Sequence, residues 1–408
     1  MLTPKEALDE ILAVIDPLDE VEELPLTHVS GRVLARPAVS DIDMPPFRRA
    51  MMDGFAVRTS DFAGPVLDDG SIQLGVAGEA KAGAPFEGLV LPGQAIEIYT
   101  GAEVPDTCDA VVMVEKSTRQ GNRVRLLDQP TEGQHVQARA EILADGATVF
   151  EPGRRLSPVD VSVLAAIGMH PVPVHRSVRV AVLTTGDELV PAWQKPGPGE
   201  IREGNTLFLA SRLQELMVEV TEVGIVPDDE DLLERDFGRA LEHADVLVTT
   251  GGVSMGKYDL VGKTFEKLGV EPRLHKVAVK PGKPIWFGLQ GRKPVLGLPG
   301  NPVSALLGLE AFVRPVLARL EGETGPATGE RLRRAVWSGK SRRAGDRQLN
   351  FPCRIEQDEQ GRELLVPLAW KGSADIVTVT EAQALAVLPA DSQVEPGDVV
   401  DYRPLGRA

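Results

Sequence analysis

Strands and helices alternate from about Val178 to Leu320, and no other property of the chain limits its fold as tightly. Strand-type segments fall at Val178–Leu183, Glu219–Ile225, Asp245–Thr249, Arg273–Val279 and Pro294–Leu298. Helical periodicity falls between them at Thr206–Met217, Asp229–His243 and Leu260–Leu268, and after the last strand at Pro302–Leu320. Parallel neighbours need long crossovers, so this alternation predicts βαβ units and a mainly parallel sheet with helices on both faces. Ligands of such sheets lie beyond the carboxyl ends of the strands, which directs attention to the loops there.

The flanking sequence reads differently. Thr3-Pro4 opens an amphipathic helix carrying Ala7, Leu8, Ile11, Leu12 and Ile15, and Ser157-Pro158 opens another that ends at Gly168. We read 1–40 and 140–176 as one helical linker domain, 41–139 as an inserted β-rich domain of short strands, 177–325 as the three-layer α/β domain, and 326–408 as a small C-terminal β-barrel. A length of 408 residues suits several cores. The 41 Gly and 32 Pro, against 11 Phe, 4 Trp and 3 Tyr, predict aliphatic cores punctuated by turns.

Charge excludes several function classes. With 44 Lys and Arg against 60 Asp and Glu the net charge is −16, which argues against nucleic acid and against a polybasic membrane anchor. No apolar run approaches the ~18 residues of a membrane span, and the first sixteen residues lack a basic signal-peptide region. Cys108 and Cys353 are too far apart for a ligand pair and fit a reducing compartment, so a soluble cytoplasmic protein is expected.

Three loops at the strand ends carry the candidate chemistry. Thr184-Thr185-Gly186-Asp187-Glu188 sets two carboxylates after a buried strand, where they serve either as a helix cap or as ligands. Thr250-Gly251-Gly252-Val253-Ser254-Met255-Gly256-Lys257 approximates a phosphate loop, but Tyr258 occupies the place of the Mg²⁺-binding hydroxyl, so a P-loop NTPase is not expected. Pro299-Gly300-Asn301-Pro302-Val303-Ser304 starts a helix with free amides and a positive dipole end. Just upstream, Lys280-Pro281-Gly282-Lys283-Pro284 holds two lysines on a proline-stiffened loop, an anion clamp in an otherwise acidic chain. Together with Asp259 these residues predict a site for a phosphorylated small molecule and a divalent cation. The six histidines form no triad-like set.

Six ordered segments, Arg49–Ala56, Tyr99–Met113, Thr184–Leu189, Gly251–Gly256, Lys280–Pro284 and Gly297–Ala305, resemble the molybdopterin molybdenumtransferase family, known as MoeA in bacteria and as the E domain of gephyrin in animals. The likeness runs over nearly the whole chain. It implies insertion of molybdenum from molybdate into adenylated molybdopterin with release of AMP. It further implies Asp53, Glu188, Asp259, Lys280 and Lys283 as catalytic residues, and Thr100, Asp187, Gly251, Gly252, Ser254, Pro299, Asn301 and Pro302 as contacts to the adenylated pterin. Molybdate would meet Lys280, Lys283, Ser304, Arg347 and Ser373, and Mg²⁺ would meet Asp187, Glu188 and Asp259. The resemblance implies a homodimer in which the inserted and C-terminal domains of one subunit border the α/β site of the other. Partners would include the adenylyltransferase that makes the substrate and the molybdoenzymes that accept the product.

Ile142 stands where the family has an Asp, Gln137 where it has an Arg, Lys257 where an acid is common and Gln383 where an Asn is usual. Ile142 motivates an alternative, a pterin-binding carrier or scaffold; a tungstate-loading relative is a second, since the two oxyanions share charge and size.

Overall fold

The computed structural model describes residues 1–64, 66–252, 260–325 and 328–406. The chain divides into two compact units: one of 1–35, 152–157 and 173–408, the other of 36–151 and 158–172. Strands are numbered here for the three six-stranded sheets only.

Helix α1 (Pro4–Leu12) begins at a capping box, in which the Thr3 hydroxyl accepts from the Glu6 amide and the Glu6 carboxylate accepts from the Thr3 amide at 2.8 Å. Its apolar stripe of Ala7, Leu8 and Ile11 is buried with Val178, Val180 and Leu320 in the core of the larger unit.

The smaller unit holds β1 (Gly54–Val57), β2 (Ile72–Ala80), β3 (Gln94–Ile98), β4 (Ala110–Met113), β5 (Ser117–Gln120) and β6 (Arg123–Leu126), in the order β4-β1-β3-β2-β6-β5. Gly54 is obligatory in β1, because a Cβ there would stand 1.9 Å from the Val112 carbonyl oxygen. Helix α2 (Pro158–Ala166) belongs to this unit and stops at Gly168, whose φ of 77° only glycine adopts freely. The apolar face of α1 is consumed by the α/β core, and α2 joins the β-rich unit.

In the larger unit, β7 (Arg179–Thr185), α3 (Asn205–Glu215), β8 (Glu219–Val226), α4 (Glu230–His243), β9 (Val246–Thr250), α5 (Leu260–Lys267), β10 (Glu271–His275), β11 (Val279–Lys280), β12 (Trp286–Gln290) and β13 (Lys293–Leu298) follow in sequence. The α/β sheet has the order β8-β7-β9-β13-β12-β10, parallel from β8 to β13 and antiparallel at β12 and β10. Two core clusters, one on Val180, Val182, Val248 and Leu296, the other on Ala181, Leu183, Leu247 and Val295, show alternate residues of the same strands entering opposite layers. The parallel order points the carboxyl ends of β7, β8, β9 and β13 to one edge.

The strand expected at Arg273–Val279 is two strands in different sheets. Lys276, at φ 72°, turns the chain with its amide on the Ile285 carbonyl, and β11 leaves to join the C-terminal sheet. The helix expected at Pro302–Leu320 is α6 (Pro302–Gly308), a π-helical turn (Leu309–Val313) and α7 (Arg314–Leu320). Pro315 lacks an amide and its ring would press on the preceding turn, so a widened turn just before it relieves the clash.

Strands β14 (Arg333–Trp337), β15 (Gln348–Gln357), β16 (Glu363–Pro367), β17 (Ala384–Leu388) and β18 (Val399–Pro404) close on themselves, since β15 pairs with both β16 and β17 and β18 bridges β17 to β14. The result is a five-stranded barrel around Trp337, Cys353, Leu365 and Tyr402, with the short helix α8 (Ile376–Val379) between β16 and β17.

Candidate active site

The site begins with β11. Val279 and Lys280 pair in parallel with Gln348 and Leu349 of β15, so the lysine loop is an extra strand of the barrel sheet. The Gln348 amide donates to the Ala278 carbonyl at 3.0 Å, and Arg347 Nη1 approaches the Val279 carbonyl at 3.4 Å. These bonds carry Arg347 to the foot of Lys280.

A second junction closes the other side. The Val303 amide at the start of α6 donates to the Ser373 carbonyl at 3.0 Å. The Ser373 loop is itself held by Asp375, which accepts from the Lys371 and Thr378 amides at 3.0 and 3.1 Å. Those bonds hold the Asp375 carboxyl below the usual carboxylate range, the Lys371 amide foremost.

Between the junctions lies a cavity of about 640 Å³, walled by Lys280, Gly282, Lys283, Pro299, Asn301 and Ser304 on one side and by Arg342, Arg343, Arg347, Phe351, Trp370, Lys371 and Ser373 on the other. Six of its residues are cationic and none is acidic. Among the described residues Lys280, Lys283, Arg342, Arg343 and Lys371 have no ion pair, and only Arg347 approaches a carboxylate, that of Asp346 at 3.5 Å. Unpaired cations around a concavity attract a small, highly charged anion.

All five residues expected to meet molybdate, Lys280, Lys283, Ser304, Arg347 and Ser373, line this cavity, as do Pro299 and Asn301. The barrel side comes from the same chain as the α/β side. The β11–β15 ladder makes this contact within one chain. Sequence reading missed Arg342, Arg343, Trp370 and Lys371: the first two lie on a two-residue strand paired with Val394 and Gln393, the others in a loop, and none belongs to a motif. The one available signal was their positive charge in an acidic chain.

The expected free amides are also corrected. Pro302 has no amide, Val303 is used by Ser373, and the Ser304 and Ala305 amides return to the Asn301 carbonyl. Gly251 donates to the Leu298 carbonyl at 3.2 Å. The glycines allow close approach: a Cβ on Gly251 would stand 2.4 Å from the Thr185 carbonyl oxygen, and one on Gly252 2.3 Å from Val261. Asn205 of α3 clasps the Gly300 carbonyl at 2.6 Å, completing the edge.

Asp187 and Glu188 follow β7 at the same edge and are exposed. The Asp187 carboxylate accepts from the Asp228 amide at 3.1 Å, which brings the end of β8 alongside. Desolvation and then the charges of Asp187 and Glu188 push the Asp228 carboxyl above its ordinary range. Asp228 is thus a third carboxylate that the sequence reading did not select, since it sits in an acidic run, Asp228-Asp229-Glu230-Asp231, that reads as a helix start. Among the described residues no three such groups are arranged to hold a metal. Ser254 and Asp259 lie outside the described residues.

Asp53 and Thr100 meet in the smaller unit. Asp53 Oδ1 accepts from both the amide and the hydroxyl of Thr100 at 2.7 Å, and these bonds hold its carboxyl below the usual range. Ile142, at 60% exposure, offers no polar group. Glu141 is engaged in its own turn, accepting from the Ala138 amide at 2.9 Å, while Gln137 accepts from Arg49 at 2.8 Å.

An α/β sheet and a five-stranded barrel that together wall a cationic cavity define a protein of α/β-plus-barrel build. Residues 2–168 match the MoeA N-terminal region (domain I and II), 181–319 a probable molybdopterin binding domain, and 334–405 the MoeA C-terminal region (domain IV). The chain is 36% identical to the molybdopterin molybdenumtransferase of Haemophilus influenzae over 79% of its length and 78% of the relative. Its identity to that of Synechococcus elongatus is 31%, over 99% of this chain and 100% of the other. The MoeA protein of Pyrococcus horikoshii superimposes with a TM-score of 0.84 at 28% identity, covering 98% of this chain and 99% of that one. The chain belongs to the MoeA family of molybdopterin molybdenumtransferases. Among the described residues no helix is long and apolar enough to cross a membrane.

Proposed function

We propose that this chain transfers molybdenum from molybdate into the dithiolene of adenylated molybdopterin and releases AMP. The observation that carries the reading is the cavity in which Lys280, Lys283, Ser304, Arg347 and Ser373 converge without a carboxylate. Molybdate is the substrate it suits: a small dianion whose oxygens accept from ammonium, guanidinium and hydroxyl donors. The lysines and Arg347 hold it, and the buried Ser304 and the Ser373 loop fix its orientation. As an oxygen nucleophile, water or a molybdate oxygen, adds to phosphorus and the phosphoanhydride P–O bond breaks, negative charge develops on the departing phosphate, and fixed cations stabilise it without reorganising.

Asp187, Glu188 and Asp228 suit a hard dication in donor type, and their mutual repulsion marks a place where positive charge is favourable. We assign Mg²⁺ to Asp187 and Glu188, with Asp259 and the substrate phosphates completing the shell. Bound there, it would neutralise phosphate charge. Asp53 stays ionised through Thr100, and we place both opposite the site of a second subunit in a homodimer. Two free, buried cysteines suit a reducing cytoplasm.

The test incubates the protein with adenylated molybdopterin, molybdate and Mg²⁺ and follows AMP release and formation of active cofactor. Binding of the adenylated pterin without molybdate-dependent AMP release overturns the transferase reading. Chelation of Mg²⁺ should stop AMP release while molybdate binding to the lysine side persists.

A further inference from the structure

The cavity holds more positive charge and more space than one tetraoxo dianion uses. Five of its cations have no ion pair among the described residues, and a dianion balances two charges. A volume near 640 Å³ lies within the ~300–1,000 Å³ that takes a drug-sized ligand, far beyond a five-atom anion.

The surplus is concentrated on the wall opposite the lysine loop. Arg342 stacks its guanidinium carbon 3.9 Å from the centre of the Phe351 ring, and Trp370 meets the same ring edge to face at 5.5 Å and 84°. Phe351 is 4% exposed, so the stack is anchored in the barrel core, and Arg342 is fixed from behind by its pairing with Val394. Two donors in this wall, Arg342 Nε and Trp370 Nε1, are withdrawn from bulk solvent and have no acceptor among the described residues. Lys371 adds an exposed ammonium beside it, on the loop that Asp375 secures.

We propose that Arg342, Trp370 and Lys371 form a second anion subsite, which holds a phosphoryl group of the substrate while Lys280 and Lys283 hold the oxyanion. The proposal rests on the molybdenum-transfer reading and deepens it: one cavity would bring the anhydride and the oxyanion together, so that cleavage and metal entry share one field of positive charge. The two subsites predict simultaneous binding of two anions.

Calorimetric titration of the full-length protein with inorganic pyrophosphate, with and without saturating molybdate, tests this, alongside equilibrium dialysis of molybdate. Pyrophosphate is expected to bind in both conditions. Lys371→Ala and Arg342→Gln should each weaken pyrophosphate about tenfold while molybdate affinity changes less than about threefold. Trp370→Phe, which keeps the ring and removes one donor, should weaken pyrophosphate less. Lys371 is exposed, so its variant should keep the parent melting temperature and report binding alone. Stoichiometric displacement of pyrophosphate by molybdate, or equal weakening of both anions, overturns the second subsite. Failure of molybdate to bind, with pyrophosphate behaving as expected, overturns instead the function proposed above.

Discussion

Lys283→Ala removes one unpaired cation from the lysine side of the cavity. Two unit charges about 4 Å apart interact by ~4 kcal/mol at an effective dielectric constant near 20, and a dianion doubles that. Most of this attraction is cancelled, because the Lys283 side chain is exposed and both partners lose hydration on meeting. What remains is of the size of a hydrogen bond to a charged group, ~1.5–3 kcal/mol. Molybdate should therefore bind about 10- to 150-fold more weakly. Equilibrium dialysis with quantified molybdenum measures it, at low and at physiological salt, because the Debye length shrinks from ~30 Å at 0.01 M to ~8 Å at 0.15 M and the mutational penalty should shrink with it. Lys195→Ala, outside the cavity, is the control and should change nothing. Binding by Lys283→Ala within twofold of the parent at low salt would refute the assignment of the lysine loop to the oxyanion.

Thr100→Val deletes the hydroxyl donor to Asp53 and keeps the amide, so the Asp53 carboxyl should titrate closer to its ordinary range, read by NMR titration of that carbon. Gly251→Ala should lower the denaturation midpoint by about 1–3 kcal/mol equivalent, because φ is 82° and the new Cβ meets the Thr185 carbonyl. Arg155→Ala leaves the carboxylates of Glu321 and Glu323, bonded at 2.5 and 2.7 Å in the parent, without their cation and should cost ~3–5 kcal/mol. Burial already raises Glu321, and the variant raises it further, so the folded state binds a proton that the unfolded state releases. Stability of the variant should therefore fall as pH rises, with a smaller deficit at pH 5 than at pH 8 in denaturant titrations. Ile142→Asp should leave stability within ~0.5 kcal/mol, since the side chain is exposed, and increase AMP release by restoring the family's carboxylate.

Local chemistry announced much of this molecule. The capping box at Thr3 and Glu6, the glycine stop at Gly168 and the strand–helix alternation from Val178 are short-range patterns, and each names its element without tertiary context. The lysine loop and the Asn301 helix start were legible for the same reason, as rigid punctuation carrying charge or polarity. Long-range geometry was not. The seven residues from Arg273 to Val279 read as one strand, and only the turn at Lys276 and the competing barrel edge divide them between two sheets. The Val303 amide, which looks free in sequence, is claimed by a serine carbonyl seventy residues away.

By itself the sequence determined the element types, the parallel sheet and the loops at its carboxyl edge, because backbone preference and hydrophobic periodicity act within a few residues. Only the tertiary structure decided what stands opposite those loops. Arg342, Arg347, Trp370 and Lys371 reach Lys280 and Lys283 because β11 crosses into the barrel and the Ser373 loop docks on α6. Pairings that join distant stretches of chain depend on which edges and faces remain unsatisfied once every local element has formed, and no local pattern encodes that.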